Sequence, residues 1–169
     1  MNDVLFAAEF AKELEAEAAS SIKCLERIPA ELFGYKPHPR SMELGYLALL
    51  CAEIPMWITH IIKHSEIDFA TFKHDTAKNG EELAANFKKN LAEAKETLLL
   101  VKEGDLDGIF YLRKNGEELL HSSKREQVES TINHMVHHRG QLTVYMRLND
   151  IPVPSIYGPS ADDKNFSSK

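Results

Sequence analysis

Four stretches of this chain carry apolar residues at the three- and four-residue spacing of an amphipathic helix. The first runs from about Asn2 to Arg27. Phe6, Phe10, Leu14, Ala18, Ile22 and Leu25 form its inner stripe, and Glu9, Glu13, Glu15 and Glu17 its wet side. Asn2 or Asp3 is suited to cap it. The second starts after Ser41, a good N-cap, and reaches about His64, with Leu47, Leu50, Ile54, Trp57 and Ile61 close together in direction. Pro55 lies inside it; a missing donor and a crowding ring predict a kink. The third runs from about Gly80 to Val101 on Leu83, Phe87, Leu91, Ala94 and Leu98, and Gly104 stops it. The fourth runs from Arg125 to Leu148. Ser122 or Ser123 caps it, and Glu126 stands three residues after Ser123, as in a capping box.

The segments between these patterns differ in kind. Pro29, Gly34, Pro37 and Pro39 make 28–40 an irregular connector. Residues 65–78 are polar apart from Phe69 and Phe72, and long enough to cross from one end of a bundle toward the other. Residues 105–123 are the least helical. Asn115-Gly116 between apolar runs suits a small hairpin with a type I′ turn over 109–120, with an irregular loop as the alternative. After Leu148, Pro152, Pro154, Gly158 and Pro159 rule out helix. Ile151, Val153, Ile156 and Tyr157 imply that this Pro-rich tail is ordered against the body. The residues from Ser160 onward are polar and expected to be mobile. Together these features predict an all-α protein: a four-helix bundle in one domain spanning 1–169.

Composition narrows the class. The chain is 43% hydrophobic and carries a formal net charge of −6. Nucleic-acid binding needs clustered cations, and Lys88-Lys89 and Lys124-Arg125 are too short for that, so no nucleic-acid partner is expected. No apolar run reads as a membrane span and no secretory leader is evident, so the expectation is a cytoplasmic protein with no membrane partner. Cys24 and Cys51 both lie in helical patterns and read as buried thiols in a reducing compartment.

The candidate chemistry is on the fourth helix, in Asn133-His134-Met135-Val136-His137-His138-Arg139-Gly140-Gln141. His134 and His138 are one turn apart, about 40° from each other in direction. Val128, Thr131, Met135, Leu142 and Tyr145 share that side, whereas His137 points roughly 100° away. Two imidazoles at this spacing can converge on one ion, but rings hydrogen-bonded inside a core have the same pattern, and a metal site needs a third ligand. His60 and His64 form a second such pair near the end of the second helix, where they suit the negative end of its dipole. The chain has no Gly-rich phosphate loop and no nucleophile elbow.

The His134–Leu142 run, the Val153–Pro159 tail, and Ala52-Glu53-Ile54-Pro55 with Trp57 resemble the DinB-like (DinB/YfiT) metalloenzyme family, over nearly the whole chain. The resemblance implies an up-down-down-up four-helix bundle, commonly a homodimer. It also implies a divalent ion, nickel or zinc, held by three histidines in a central cleft, and in some relatives transfer chemistry with a small-molecule thiol. Most members have no established reaction. On this resemblance His134 and His138 match the fourth-helix metal ligands, and Leu50, Trp57 and Tyr145 line the cleft. The third family histidine, five residues before the proline, is replaced here by Leu50, which cannot ligate a metal. Three resolutions are open. Glu53, one turn on and roughly 60° round the helix, supplies a carboxylate. Alternatively the site is degenerate and metal is absent or weakly held, the reading we favour at this point. The remote option is His60, about 15 Å along the helix from Leu50. The corresponding functions are a metal-dependent transferase or hydrolase of unknown substrate, or a non-catalytic, dimeric small-ligand-binding bundle with a vestigial metal cleft. Arg139 reads as structural, bridging to the second helix or to a partner subunit, and the tail as packing.

Overall fold

A computed structural model describes residues 2–164. Helix α1 spans Asp3–Glu26, α2 Leu44–His64, α3 Gly80–Leu99 and α4 Lys124–Leu148. Their ends follow from local chemistry. The Asn2 side chain accepts from the Leu5 amide and the Asn79 side chain from the Glu82 amide, each satisfying an orphan donor of a first turn. Ser123 and Glu126 form the complete capping box of α4. Ser41 does not cap α2. Glu43 occupies that position without a side-chain bond, because Leu44 and Gly45 are held instead by the carbonyls of Tyr35 and Phe33. α2 continues through Pro55 to His64.

The fold is not all-α. Strands β1 (Glu66–Asp68), β2 (Ile109–Lys114) and β3 (Glu117–Ser123) form a small sheet in the order β1-β2-β3. β2 and β3 are the antiparallel hairpin that Asn115-Gly116 suggested; both turn residues have positive φ, 54° and 79°, as a type I′ turn requires. β1 pairs parallel to β2, with Ile67 opposite Leu112. A three-residue strand leaves almost no alternation to read. What ties it in is Asp68, whose carboxylate accepts from the amides of Asn115 and Gly116 at the hairpin turn.

The core is continuous. α2 packs on α3 and α4, and α1 packs on the same two helices, while α1 and α2 scarcely touch. The stripes meet at Leu14, Leu47, Ile54, Ile58, Phe87 and Leu142, all at most 1% exposed. Burying each such side chain contributes on the order of 1.5–3 kcal/mol before entropy is subtracted. α3 begins against the end of α1 so closely that a Cβ on Gly80 would lie 2.7 Å from the carbonyl oxygens of Leu25 and Glu26. By length and mean hydropathy (1.4) α2 passes as a membrane-spanning helix, contrary to the expectation from its sequence; 67% of that window is buried within the bundle, as a core helix requires. Cys24 and Cys51 are free and buried. Burial raises the Cys24 thiol to about 11 and raises Cys51 as well.

Two buried ionic groups join the helices. Asp3 is 1% exposed; it accepts from the amides of Gly104 and Leu106 and pairs with Arg125 of α4. Arg139 is 2% exposed and bridges α4 to α1, not to α2. It donates to Ser20 Oγ (2.8 Å), Ser21 Oγ (3.1 Å) and the Glu17 carbonyl (3.2 Å), and it pairs with the Glu17 carboxylate (2.5 Å). It also donates to the Tyr157 hydroxyl at 2.8 Å. Further along the tail, Ser160 Oγ donates to the Val153 carbonyl (2.6 Å) and Asp162 pairs with Arg147 (2.5 Å). Ser160 and Asp162 are therefore tied to the tail and to α4, against the expectation of mobility from Ser160 onward; residues 165–169 of that stretch lie outside the described residues.

Candidate functional site

His134 and His138 do converge. Their Nε2 atoms lie 2.7 Å apart. The Gln141 side-chain amide oxygen, Oε1, is 2.7 Å from His138 Nδ1 and can only accept, so this contact puts the His138 proton on Nδ1 and leaves a lone pair at Nε2. His134 then donates through Nε2–H to that lone pair. His138 is buried, at 8% exposure, and His134 is half-buried. Both resist protonation; the bond itself requires this only of His138 Nε2, the acceptor. Burial lowers His134 to about 4, with the nearby His138 and His137 adding to the effect, and burial also lowers His138. His137 points out to solvent, as its direction on the helix predicts.

His134, but not His138, borders a cleft of about 400 Å³. Tyr46, Leu50 and Trp57 of α2 line it beside His134, together with Phe69, His74 and Lys114. The Trp57 ring packs edge-on to His134 with centroids 5.5 Å apart. Its indole N–H is buried with no acceptor among the described residues, a deficit of about 1–3 kcal/mol that a bound polar atom or water would relieve. Tyr145 is not part of this lining. Its hydroxyl donates to the Met42 carbonyl at 3.2 Å and its ring meets Tyr35, so it closes the connector before α2 instead. His60 and His64 sit at a separate depression with Met56 and Phe72.

Glu53 does not join the histidine pair. It is 1% exposed, and its carboxylate is committed to His74 Nδ1 at 2.7 Å and the Asp75 amide at 3.2 Å. Burial raises its pKa, while the His74 and Asp75 contacts oppose that rise. The residues therefore do not fit a three-ligand metal centre. Leu50 offers hydrocarbon, Glu53 is engaged elsewhere, and the described residues contain no group of three His, Cys, Asp or Glu side chains placed for an ion. Two nitrogens on one ion at 2.0–2.1 Å stand about 3.3 Å apart in tetrahedral geometry, wider than the 2.7 Å between these two. His74 was missed in the sequence because it lies in a connector with no periodicity; its only signal was the loop aromatics Phe69 and Phe72 around it.

A four-helix bundle with a small sheet, and two histidines one turn apart on α4 of which His134 lines an apolar cleft, define the class of this protein. The DinB family model matches residues 1–165, and the chain belongs to the DinB family. It is similar in fold to a DinB-like protein of Bacillus subtilis, at 19% identity and a TM-score of 0.66, covering 92% of this chain and 99% of that one. A DinB-like protein of Bacillus cereus ATCC 10987 is likewise similar, at 23% identity and a TM-score of 0.63, covering 88% and 95%. No curated protein matches the chain.

Proposed function

We infer that this protein binds a small molecule in the cleft between α2 and α4, with His134, held by its bond to His138, as a neutral hydrogen-bonding group in the lining and not as part of an assembled metal centre. One observation carries the reading: the Nε2 atoms of His134 and His138 lie within hydrogen-bond distance of each other, at 2.7 Å, and Leu50, which offers no ligand atom, lines the cleft beside His134. The cleft is in the size range of small-molecule sites, with apolar walls and few polar groups. Leu50, Trp57 and Phe69 supply the apolar surface, and His134, His74 and Lys114 the polar contacts. A cytoplasmic homodimer belongs to the same proposal. Its support is the family resemblance and a set of exposed apolar side chains, among them Leu99, Leu100, Val144 and Leu148.

The test is metal analysis of protein purified without a histidine tag, followed by titration with nickel and zinc. Less than roughly a tenth of an equivalent bound, with no tight uptake, is the expected result; about one equivalent that His134→Ala abolishes would overturn the reading.

A second reading keeps a metal-dependent transferase or hydrolase, with nickel or zinc on His134 and His138 and the remaining positions taken by water or a small-molecule thiol. The observation in its favour is the Gln141 contact, which orients His138 Nε2 the way metal-bound imidazoles are oriented by their outer partners. The same titration separates the two readings.

A further inference from the structure

A second imidazole borders the cleft, from the connector between α2 and α3. His74 is 43% exposed at its side chain, whereas the Glu53 carboxyl that meets its Nδ1 at 2.7 Å is 2% exposed. Glu53 is itself fixed, because its other oxygen accepts from the Asp75 amide. Asp75 is fixed in turn by Asn90, whose side-chain amide donates to Asp75 Oδ2 (2.7 Å) and to the Ala52 carbonyl (3.2 Å). The His74 ring also packs edge-on to Phe72, with centroids 5.2 Å apart. The imidazole is thus held along one edge by a buried carboxylate and on another side by an aromatic ring. Nε2, on the opposite edge, takes no hydrogen bond among the described residues. A carboxylate accepting Nδ1–H selects the tautomer with a lone pair on Nε2 and stabilises the imidazolium formed when Nε2 takes a proton. A plain staple for the connector needs only Glu53, Asp75 and Asn90. The chain also supplies a control: His121 meets Glu118 at the same 2.7 Å, but on the hairpin, with side chains 61% and 42% exposed.

We propose that His74 is a catalytic general base acting on a small molecule held in the cleft, with buried Glu53 as its positioning residue. The proposal rests on the cleft being a small-molecule site. The substrate class is a small ester or related carbonyl compound with an apolar body, matching walls built from Trp57, Leu50 and Phe69. Nε2 takes a proton from water as the water oxygen bonds to the carbonyl carbon. The bond to the leaving group breaks with its electron pair, and the imidazolium passes its proton to the leaving group or to solvent.

p-Nitrophenyl acetate is the probe, with the full chain and the variants His74→Gln, Glu53→Gln, His121→Gln and Leu50→Trp. Saturable hydrolysis is expected in the parent. His74→Gln should lower kcat by about a hundredfold with KM little changed. Glu53→Gln should lower kcat by about tenfold, leave KM in place, and shift the His74 tautomer seen by nitrogen NMR. His121→Gln should do nothing. A parent no faster than free imidazole, or full activity in His74→Gln, overturns the proposal. Should a variant fail to fold, diethyl pyrocarbonate labelling of the parent replaces it: His74 is expected to react several times faster than His121, with loss of hydrolysis, and an equal or slower rate overturns the proposal. Leu50→Trp tests the cleft separately. A raised KM supports both readings, whereas an unchanged KM alongside a dead His74→Gln leaves the Glu53–His74 pair standing and overturns the cleft as its binding site.

Discussion

His134 and His138 bring their Nε2 atoms within 2.7 Å of each other, and the Gln141 side-chain oxygen meets Nδ1 on the other side of the His138 ring at 2.7 Å. Two nitrogens ligating one ion would stand wider apart, at about 3.3 Å. Converting one arrangement into the other takes a third ligand and a small opening of the pair, and Leu50 withholds the ligand.

Leu50→His should therefore create a metal site. The expected outcome is uptake of about one equivalent of nickel or zinc, with thermal stabilisation on loading and loss of both in the Leu50→His, His138→Ala double variant. Isothermal titration of parent and variant is the measurement. Equal, weak binding by both would mean that residue 50 does not control the site.

Arg139 should be indispensable to stability. Its guanidinium is buried against Glu17, Ser20, Ser21 and Tyr157, and replacing it by Met would leave the Glu17 carboxylate at a half-closed surface without its partner. A loss of about 3–5 kcal/mol in urea unfolding is expected. Arg139→Lys should recover little of it, since one ammonium cannot reach acceptors on both α1 and the tail.

Stability should fall with acid over a defined range. Folded His134 takes its proton near pH 4, but in the unfolded chain it does so at the ordinary 6.5. Between those values the unfolded state binds more protons, so stability is full above about 6.5 and is lost as the pH falls toward 4. His138 and His60, both lowered first by burial, act in the same direction. Glu53 acts oppositely, since its raised folded pKa costs stability as the pH rises through it. Urea midpoints should be lower at about pH 5 than at pH 7, and His134→Phe should flatten that difference. Equal parent midpoints at the two values would contradict the burial of this ring.

The homodimer is checked by light scattering at micromolar concentration. Twice the chain mass is the expected result, and the mass of a single chain would remove the dimer from the proposal.

Much of this protein was legible from the sequence. Apolar spacing located all four helices, and Ser123 with Glu126 and Asn115-Gly116 marked the start of α4 and the hairpin turn, because capping and turn chemistry act over three or four residues. The one-turn spacing of His134 and His138 likewise placed both rings on one side of α4. Contacts over long sequence separations could not be read in this way. β1 has only three residues and finds its partner more than forty positions on; Arg139 turned to α1 because Ser20, Ser21 and Glu17 present acceptors there. Spacing along α2 brought Glu53 within reach of the metal position, yet the tertiary structure gave it His74 and the Asp75 amide from a connector without periodicity. Helix geometry fixes the direction in which a side chain leaves its own helix, but the group it meets is decided by which segment packs over it, and a buried carboxylate takes the donors that segment brings.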